Sequence, residues 1–71
     1  MPQKIRQLKA SLRKAGFYMR PGKGSHTVWE HPVYPTIRVT ISGKDGNDAE
    51  PYQVDQVQKA LKKLAKEKKH D

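Results

Sequence analysis

The seven residues TIRVTIS, at positions 36–42, alternate strictly between polar and apolar side chains. The apolar ones are Ile37, Val39 and Ile41. Because successive side chains of a strand point to opposite faces, this stretch predicts a strand with one face against a core and one face open. The apolar face of such a sheet has to be covered by a second layer of structure.

Apolar residues at helical spacing predict that second layer. In residues 4–15 they repeat at spacings of 3, 4 and 3, at Ile5, Leu8, Leu12 and Ala15. Gly16 follows, where a helix commonly ends. The same spacings recur after Pro51, at Val54, Val57, Leu61 and Leu64. Each end of the chain is therefore predicted to form an amphipathic helix.

Two shorter strands are predicted between the first helix and residue 36. They cover residues 17–20 and 25–31, and the sequence Pro-Gly-Lys-Gly at 21–24 indicates a turn between them. The loop at 31–35 contains two prolines. A loop of this length predicts that residue 30 pairs with 36, 28 with 38 and 26 with 40.

These elements predict an α+β fold, an α-β-β-β-α two-layer sandwich. Its sheet would be three-stranded and antiparallel, with both helices on one face. The 71 residues are enough for one domain, which we assign to positions 1–71, with residues 66–71 as a fraying tail.

The charge of the chain favours a polyanionic partner. Fifteen Lys and Arg residues against seven Asp and Glu give a formal net charge of +8, and residues 1–29 contain no acid at all. Such surfaces bind nucleic acids by neutralising phosphates and releasing counterions. Cysteine is absent, and no apolar run has the length of a signal peptide or a membrane span. We therefore expect a cytoplasmic location and no membrane partner.

His26 is the candidate for chemistry. If Trp29 points into the core, His26 lies on the open face of the sheet. The predicted pairing puts Arg38 diagonally across from it, with Lys23 and Arg20 at the adjoining turn. An imidazole can transfer protons near neutral pH, and cations can stabilise charge on a phosphoryl group. This combination is suited to the cleavage of RNA by its own 2′-hydroxyl group. The alternative, which is the commoner one for a single histidine at a strand edge, is a polar surface residue without a catalytic role.

A metal site is not predicted. His26 and His31 are five residues apart in a strand and point to opposite faces, and His70 lies in the tail. We expect neither a metal nor another cofactor.

Several motifs together resemble the HicA toxin family of mRNA interferases. They are Leu-Arg-Lys-Ala-Gly-Phe at 12–17, Gly-Lys-Gly-Ser-His at 22–26, Trp29, and His-Pro at 31–32. The resemblance covers roughly residues 4–64 and implies a fold like that of double-stranded-RNA-binding domains. It also implies a ribosome-independent RNA endonuclease that a cognate HicB-type antitoxin holds inactive.

The resemblance assigns the catalytic role to His26, and we expect Gly24 and Ser25 to position it. Candidate RNA-binding residues are the cations near the site and those on one face of the first helix, namely Lys23, Arg20, Arg38, Arg6, Lys9 and Arg13. Two features depart from the family pattern. Ser42, Gly43 and Lys44 stand where many members carry a second segment with Pro and His, and the loop at 43–50 is longer and more acidic than usual.

Two other functions remain open from the sequence. The same fold could bind mRNA or other RNA through its basic faces without cutting it. Alternatively, the basic surface could serve only to bind an acidic protein.

Overall fold

Two helices and three strands follow one another in the predicted order. The computed structural model describes residues 3–69, with the elements α1 (Ile5–Lys14), β1 (Tyr18–Pro21), β2 (Thr27–Glu30), β3 (Arg38–Ile41) and α2 (Pro51–Lys69). The strands form one antiparallel sheet in the order β1-β2-β3. The predicted α+β class and the antiparallel sheet are both confirmed.

One hydrophobic core lies between the sheet and the two helices. Val39 and Ile41 are buried, whereas Arg38 and Thr40 are exposed, so the alternation in β3 has the predicted facing. Both helices and the inner face of the sheet contribute to a single cluster, formed by Ile5, Leu8, Leu12, Phe17, Trp29, Ile37, Val39, Ile41, Ala49, Val57, Ala60 and Leu64. Both helices therefore cover the same face, and the other face of the sheet is open.

The register between β2 and β3 differs from the prediction by two residues. Glu30 pairs with Arg38 instead of Thr36, and the rest of the ladder follows the same shift. The connection is longer because the amide of Ile37 donates a hydrogen bond to the carbonyl of Tyr34 at 2.9 Å, which keeps this segment in a turn. A shift of two residues leaves every side chain on its predicted face but changes its neighbours.

The acidic loop at 43–50 caps the start of α1. The first N–H groups of a helix have no partner within the helix. Here the amide of Ile5 donates to the carbonyl of Asn47 at 2.9 Å, and the amide of Arg6 donates to the carbonyl of Asp45 at 3.2 Å. The loop thus has a structural role that its sequence does not reveal.

Side chains of the same loop pair with cations of α1 and its N-cap. The ammonium of Lys9 lies 2.7 Å from a carboxylate oxygen of Asp45, and Lys4 pairs with Asp48. The hydrogen bond and the positive charge of Lys9 lower the pKa of the exposed Asp45 carboxyl below its usual value. Two basic residues of the N-terminal segment are therefore already neutralised within the fold.

Replacing Asp45 with Asn should lower stability near neutral pH but not in acid. A carboxyl whose pKa is lower in the folded state stabilises the fold above its unfolded pKa, and that contribution is lost as pH falls through the folded pKa. We therefore expect the urea midpoints of wild type and Asp45→Asn to differ slightly at pH 7 and to converge in acid, at a pH below the usual pKa of Asp. A gap that widened in acid would contradict the ion pair with Lys9.

The second helix is longer than the sequence suggests. It runs to Lys69 and so includes residues 66–69, for which the sequence predicts a fraying tail. Lysines in its last turn interact favourably with the carbonyl end of the helix, which stabilises this extension. His70 and Asp71 lie outside the described residues.

Candidate functional site

His26 lies at the base of the hairpin turn between β1 and β2, one residue before β2 begins. Its amide donates to the carbonyl of Lys23 at 3.0 Å, and its own carbonyl accepts from the amide of Gly22 at 2.9 Å. The residue is exposed. Its backbone is thus fixed at two points while its imidazole is accessible.

Two glycines make this turn possible. Gly24 has a φ of +59°, a conformation that side chains with a Cβ rarely adopt. A Cβ at Gly22 would lie only 3.0 Å from the carbonyl oxygen of His26 and 3.3 Å from its Cβ. The Gly-Lys-Gly sequence therefore lets the backbone at Gly22, directly after β1, approach His26 closely and fixes the position of the His26 Cβ.

Ser25 connects the turn to the segment after β3. Its hydroxyl oxygen accepts a hydrogen bond from the amide of Gly43 at 3.2 Å. The neighbouring Ser42 accepts through its carbonyl a bond of 2.9 Å from the side-chain amide of Gln53 in α2. The predicted positioning residue thus belongs to a polar connection that runs from the His26 turn to the second helix.

Gln53 is a structural residue that the sequence analysis missed. It is buried, and its side-chain oxygen also accepts a bond of 2.9 Å from the amide of Glu50 at the start of α2. The apolar positions Val57, Ala60 and Leu64 continue its helical spacing. A polar side chain in line with this apolar stripe was the available signal.

The basic residues of the sheet do not form a ring around His26, although Arg20 lies opposite Val28, two residues from it. Arg38 pairs with Glu30, and Arg20 donates a hydrogen bond of 3.1 Å to the same Glu30. Glu30 is four residues from His26, which corresponds to about 13 Å along an extended chain. The predicted diagonal contact between Arg38 and His26 is therefore wrong, because it depended on the register that the structure corrects. Lys23 is the exposed cation within the same turn as His26.

Glu30 is unusual for a residue on the open face, because it is buried. The Tyr18 hydroxyl donates to one of its carboxylate oxygens at 3.2 Å, and Arg20 occupies the other. These side chains form a satisfied polar cluster at the far end of the open face from His26. The sequence alternation predicted the face of Glu30 but not its partners.

The basic face of α1 divides into free and engaged residues. Arg6 is exposed, whereas the side chain of Lys9 is only 15% exposed and is paired with Asp45. The guanidinium of Arg13 lies 5.1 Å from the centroid of the Trp29 ring. Such a cation–π contact leaves the N–H groups of a guanidinium able to bind an anion.

His31 directly follows β2 and lies on the core side of the sheet. This agrees with the prediction that His31 and His26 point to opposite faces. It is buried, and its ring lies edge-on to Phe17 with centroids 5.4 Å apart. Its Nδ1 accepts a hydrogen bond of 3.1 Å from the amide of Val33. These contacts give His31 a structural role in the His-Pro corner.

Residues 3–69 contain no group of three His, Cys, Asp or Glu side chains arranged to hold a metal ion. His70, the third histidine, is outside this part of the chain. In the same part of the chain, no helix has the length and apolar character needed to cross a membrane.

Comparison with known proteins supplies one match. No curated protein and no solved structure matches the chain. A protein-family model, described as the HicA toxin of bacterial toxin–antitoxin systems, matches residues 5–65. This match extends from α1 through most of α2, and the observed α-β-β-β-α order is consistent with a fold like that of double-stranded-RNA-binding domains. The chain therefore belongs to the HicA toxin family of bacterial toxin–antitoxin systems.

Proposed function

We propose that this toxin is a metal-independent, ribosome-independent endoribonuclease that uses His26 to cleave mRNA. The observation that carries the proposal is the exposed imidazole of His26 on a backbone held at both its amide and its carbonyl. A catalytic group has to be held in one place while its reactive atoms remain open to substrate. Membership of a toxin family supports the same conclusion.

In the proposed step, the 2′-oxygen of a ribose attacks the adjacent phosphorus. The bond from phosphorus to the 5′-oxygen of the next nucleotide breaks. His26 either takes the proton from the 2′-hydroxyl or gives one to the departing 5′-oxygen, and water exchanges the other proton. The products are a 2′,3′-cyclic phosphate and a 5′-hydroxyl. Lys23, in the same turn, is the cation best situated to stabilise the charge on the phosphoryl oxygens.

We assign the other cations to binding rather than to chemistry. Arg20, whose strand partner Val28 is two residues from His26, and Arg38, which lies farther along the open face, can bind phosphates of the flanking nucleotides. Arg6 and Arg13 present a second basic surface on α1, and Lys9 should contribute less because Asp45 already neutralises it. Gly24 and Ser25 position the turn, through its backbone conformation and through the bond to Gly43.

Incubation of the purified protein with end-labelled RNA tests the proposal. Discrete shorter products in the presence of EDTA are expected. Retention of intact RNA on a filter would favour the second candidate, a binding module without catalysis. The separation of Arg38 from His26 and the pairing of Arg20 with Glu30 favour that candidate, because a sheet face used only for binding does not need its cations directed at an imidazole. If the protein neither cleaves nor retains RNA, the remaining candidate is a domain that binds an acidic protein.

RNA binding should depend strongly on salt concentration, because the sequence has 15 basic residues and only seven acidic ones. Each neutralised phosphate of a single strand adds about 0.7 to the slope of log affinity against log salt concentration. With four or five phosphates engaged, we expect a slope of roughly −3 between 50 and 200 mM salt. Filter binding or fluorescence anisotropy measures it, and a flat response would exclude an electrostatic interface.

A cognate antitoxin of the HicB type is the proposed protein partner. The toxin–antitoxin family implies such a partner system. We expect the antitoxin to protect His26 and Lys23, since both residues are exposed and acidic groups of the antitoxin would complement the positive charge of Lys23. Hydrogen exchange of the complex would test this, and protection restricted to α2 would contradict it.

A further inference from the structure

The outer edge of β3 is a second surface with the means to bind a partner. β3 is the last strand of the sheet order, so one side of its backbone has no neighbouring strand. An exposed sheet edge can accept an additional strand unless another part of the same protein covers or blocks the edge. The edge lies on the opposite side of the sheet from β1.

The register shows which backbone groups point outward. The amide of His31 donates to the carbonyl of Ile37, and Trp29 pairs with Val39 in the same register. Antiparallel pairs alternate between hydrogen-bonded and non-bonded positions, so the odd-numbered residues of β3 bond to β2. The amide and carbonyl groups of Arg38 and Thr40 therefore point away from the sheet.

A groove with a volume of about 390 Å³ runs between this edge and α2. Residues that line it include Arg38 and Thr40 on the β3 side and the apolar Ala60 on the α2 side. Lys59 and Lys63 stand along its helix side. The side chain of Lys59 is 76% exposed and pairs with Asp55 on the same helix, an exposed contact that an incoming carboxylate can replace.

The groove fits an extended acidic peptide better than RNA or a second copy of the chain. Its edge offers alternating N–H and C=O groups at strand spacing, whereas phosphates can use only the donors and are repelled by the carbonyls. Two copies of the same edge would bring Arg38 and the two groove lysines against one another. In an added strand of alternating acidic and apolar residues all acidic side chains point to one face, so they can face Lys59 and Lys63 on α2 while the backbone of the strand bonds to Arg38 and Thr40.

We propose that the edge of β3 and the facing side of α2 bind an acidic peptide segment as a fourth strand of the sheet. The added strand exchanges hydrogen bonds with Arg38 and Thr40. Its acidic side chains point towards α2 and pair with Lys59 and Lys63. This interaction goes beyond RNA cleavage and does not depend on it, because His26 lies at the β1–β2 turn.

The probe is a blocked synthetic peptide of alternating Glu and Val residues, titrated into the whole protein with fluorescence anisotropy. Binding is expected, and the same peptide with Lys in place of Glu should not bind. Hydrogen exchange followed by NMR should show new protection of the amides of Arg38 and Thr40. The amide of Val39, already bonded to β2, should change little.

The charge-reversal variant Lys59→Glu/Lys63→Glu should weaken peptide binding at least tenfold. Lys62→Glu/Lys69→Glu is the matched control, because it changes the same helix by the same charge outside the groove and should alter binding less than threefold. Circular dichroism checks that both variants keep the fold.

Equal losses in both variants, absence of binding, or binding without protection of Arg38 and Thr40 would each overturn the proposal. A further combination of results would also overturn it. If the peptide does not bind wild type and the groove variant loses affinity for single-stranded RNA, the groove is part of the nucleic-acid interface. RNA cleavage can fail without affecting any of these readings.

Discussion

His26→Ala should reduce RNA cleavage about 10²–10⁴-fold, the usual contribution of a placed proton-transfer group. Both hydrogen bonds that hold His26 involve its backbone, so Ala retains them. Ala also keeps the Cβ that lies close to Gly22. Because the imidazole is exposed, its removal should cost less than about 1 kcal/mol of stability.

Binding provides the internal control for this variant. Affinity for RNA comes mainly from Lys and Arg contacts with phosphates, so the His26→Ala protein should retain RNA nearly as well as wild type. Cleavage is measured as a single-turnover rate, with thermal midpoint and filter retention recorded on the same preparations. Cleavage at the wild-type rate would remove His26 from the mechanism and favour a binding module contaminated by another nuclease.

His31→Ala should have the opposite profile, a large loss of stability with little change in chemistry. The substitution leaves the amide of Val33 without its acceptor and removes the edge-on contact with Phe17 and the ring contact with Tyr34. An unmade hydrogen bond and lost aromatic contacts together cost about 2 kcal/mol. For a domain of this size that lowers the thermal midpoint by roughly 8–16 °C.

A second variant separates packing from hydrogen bonding at this corner. His31→Phe keeps an aromatic ring but removes the acceptor, so it should lose less stability than His31→Ala. The activity of each variant should be compared with wild type at a temperature where both are folded. A His31→Ala protein that is as stable as wild type but inactive would contradict the structural role and make His31 a candidate for catalysis.

The alternation in β3 was sufficient to predict the layers of the fold but not the register. Ile37, Val39 and Ile41 are all buried as their spacing predicts, yet Ile37 lies in the connecting turn rather than in the strand. Burial has the same period in both cases, so the pattern could not distinguish a strand residue from a turn residue that reaches the core. The two-residue shift moved Arg38 away from the candidate catalytic histidine.

The local part of the site could be predicted, and the long-range part could not. The Gly-Lys-Gly-Ser-His sequence indicates a turn with an exposed histidine because its glycines permit the required backbone conformation. The bond from Gly43 to Ser25 joins residues 18 positions apart, and no local pattern encodes it. The pairing of Lys9 with Asp45 likewise depends on where the acidic loop meets α1.

The most direct test of the central claim compares one RNA with the same RNA methylated at every 2′-oxygen, in EDTA. Methylation removes the nucleophile and leaves the phosphates that the basic residues bind. The proposed mechanism predicts that the purified protein retains both strands but cuts only the unmethylated one, leaving 2′,3′-cyclic phosphate ends. Cleavage of both strands, or of neither, would contradict an endoribonuclease that acts through His26 and the 2′-hydroxyl group.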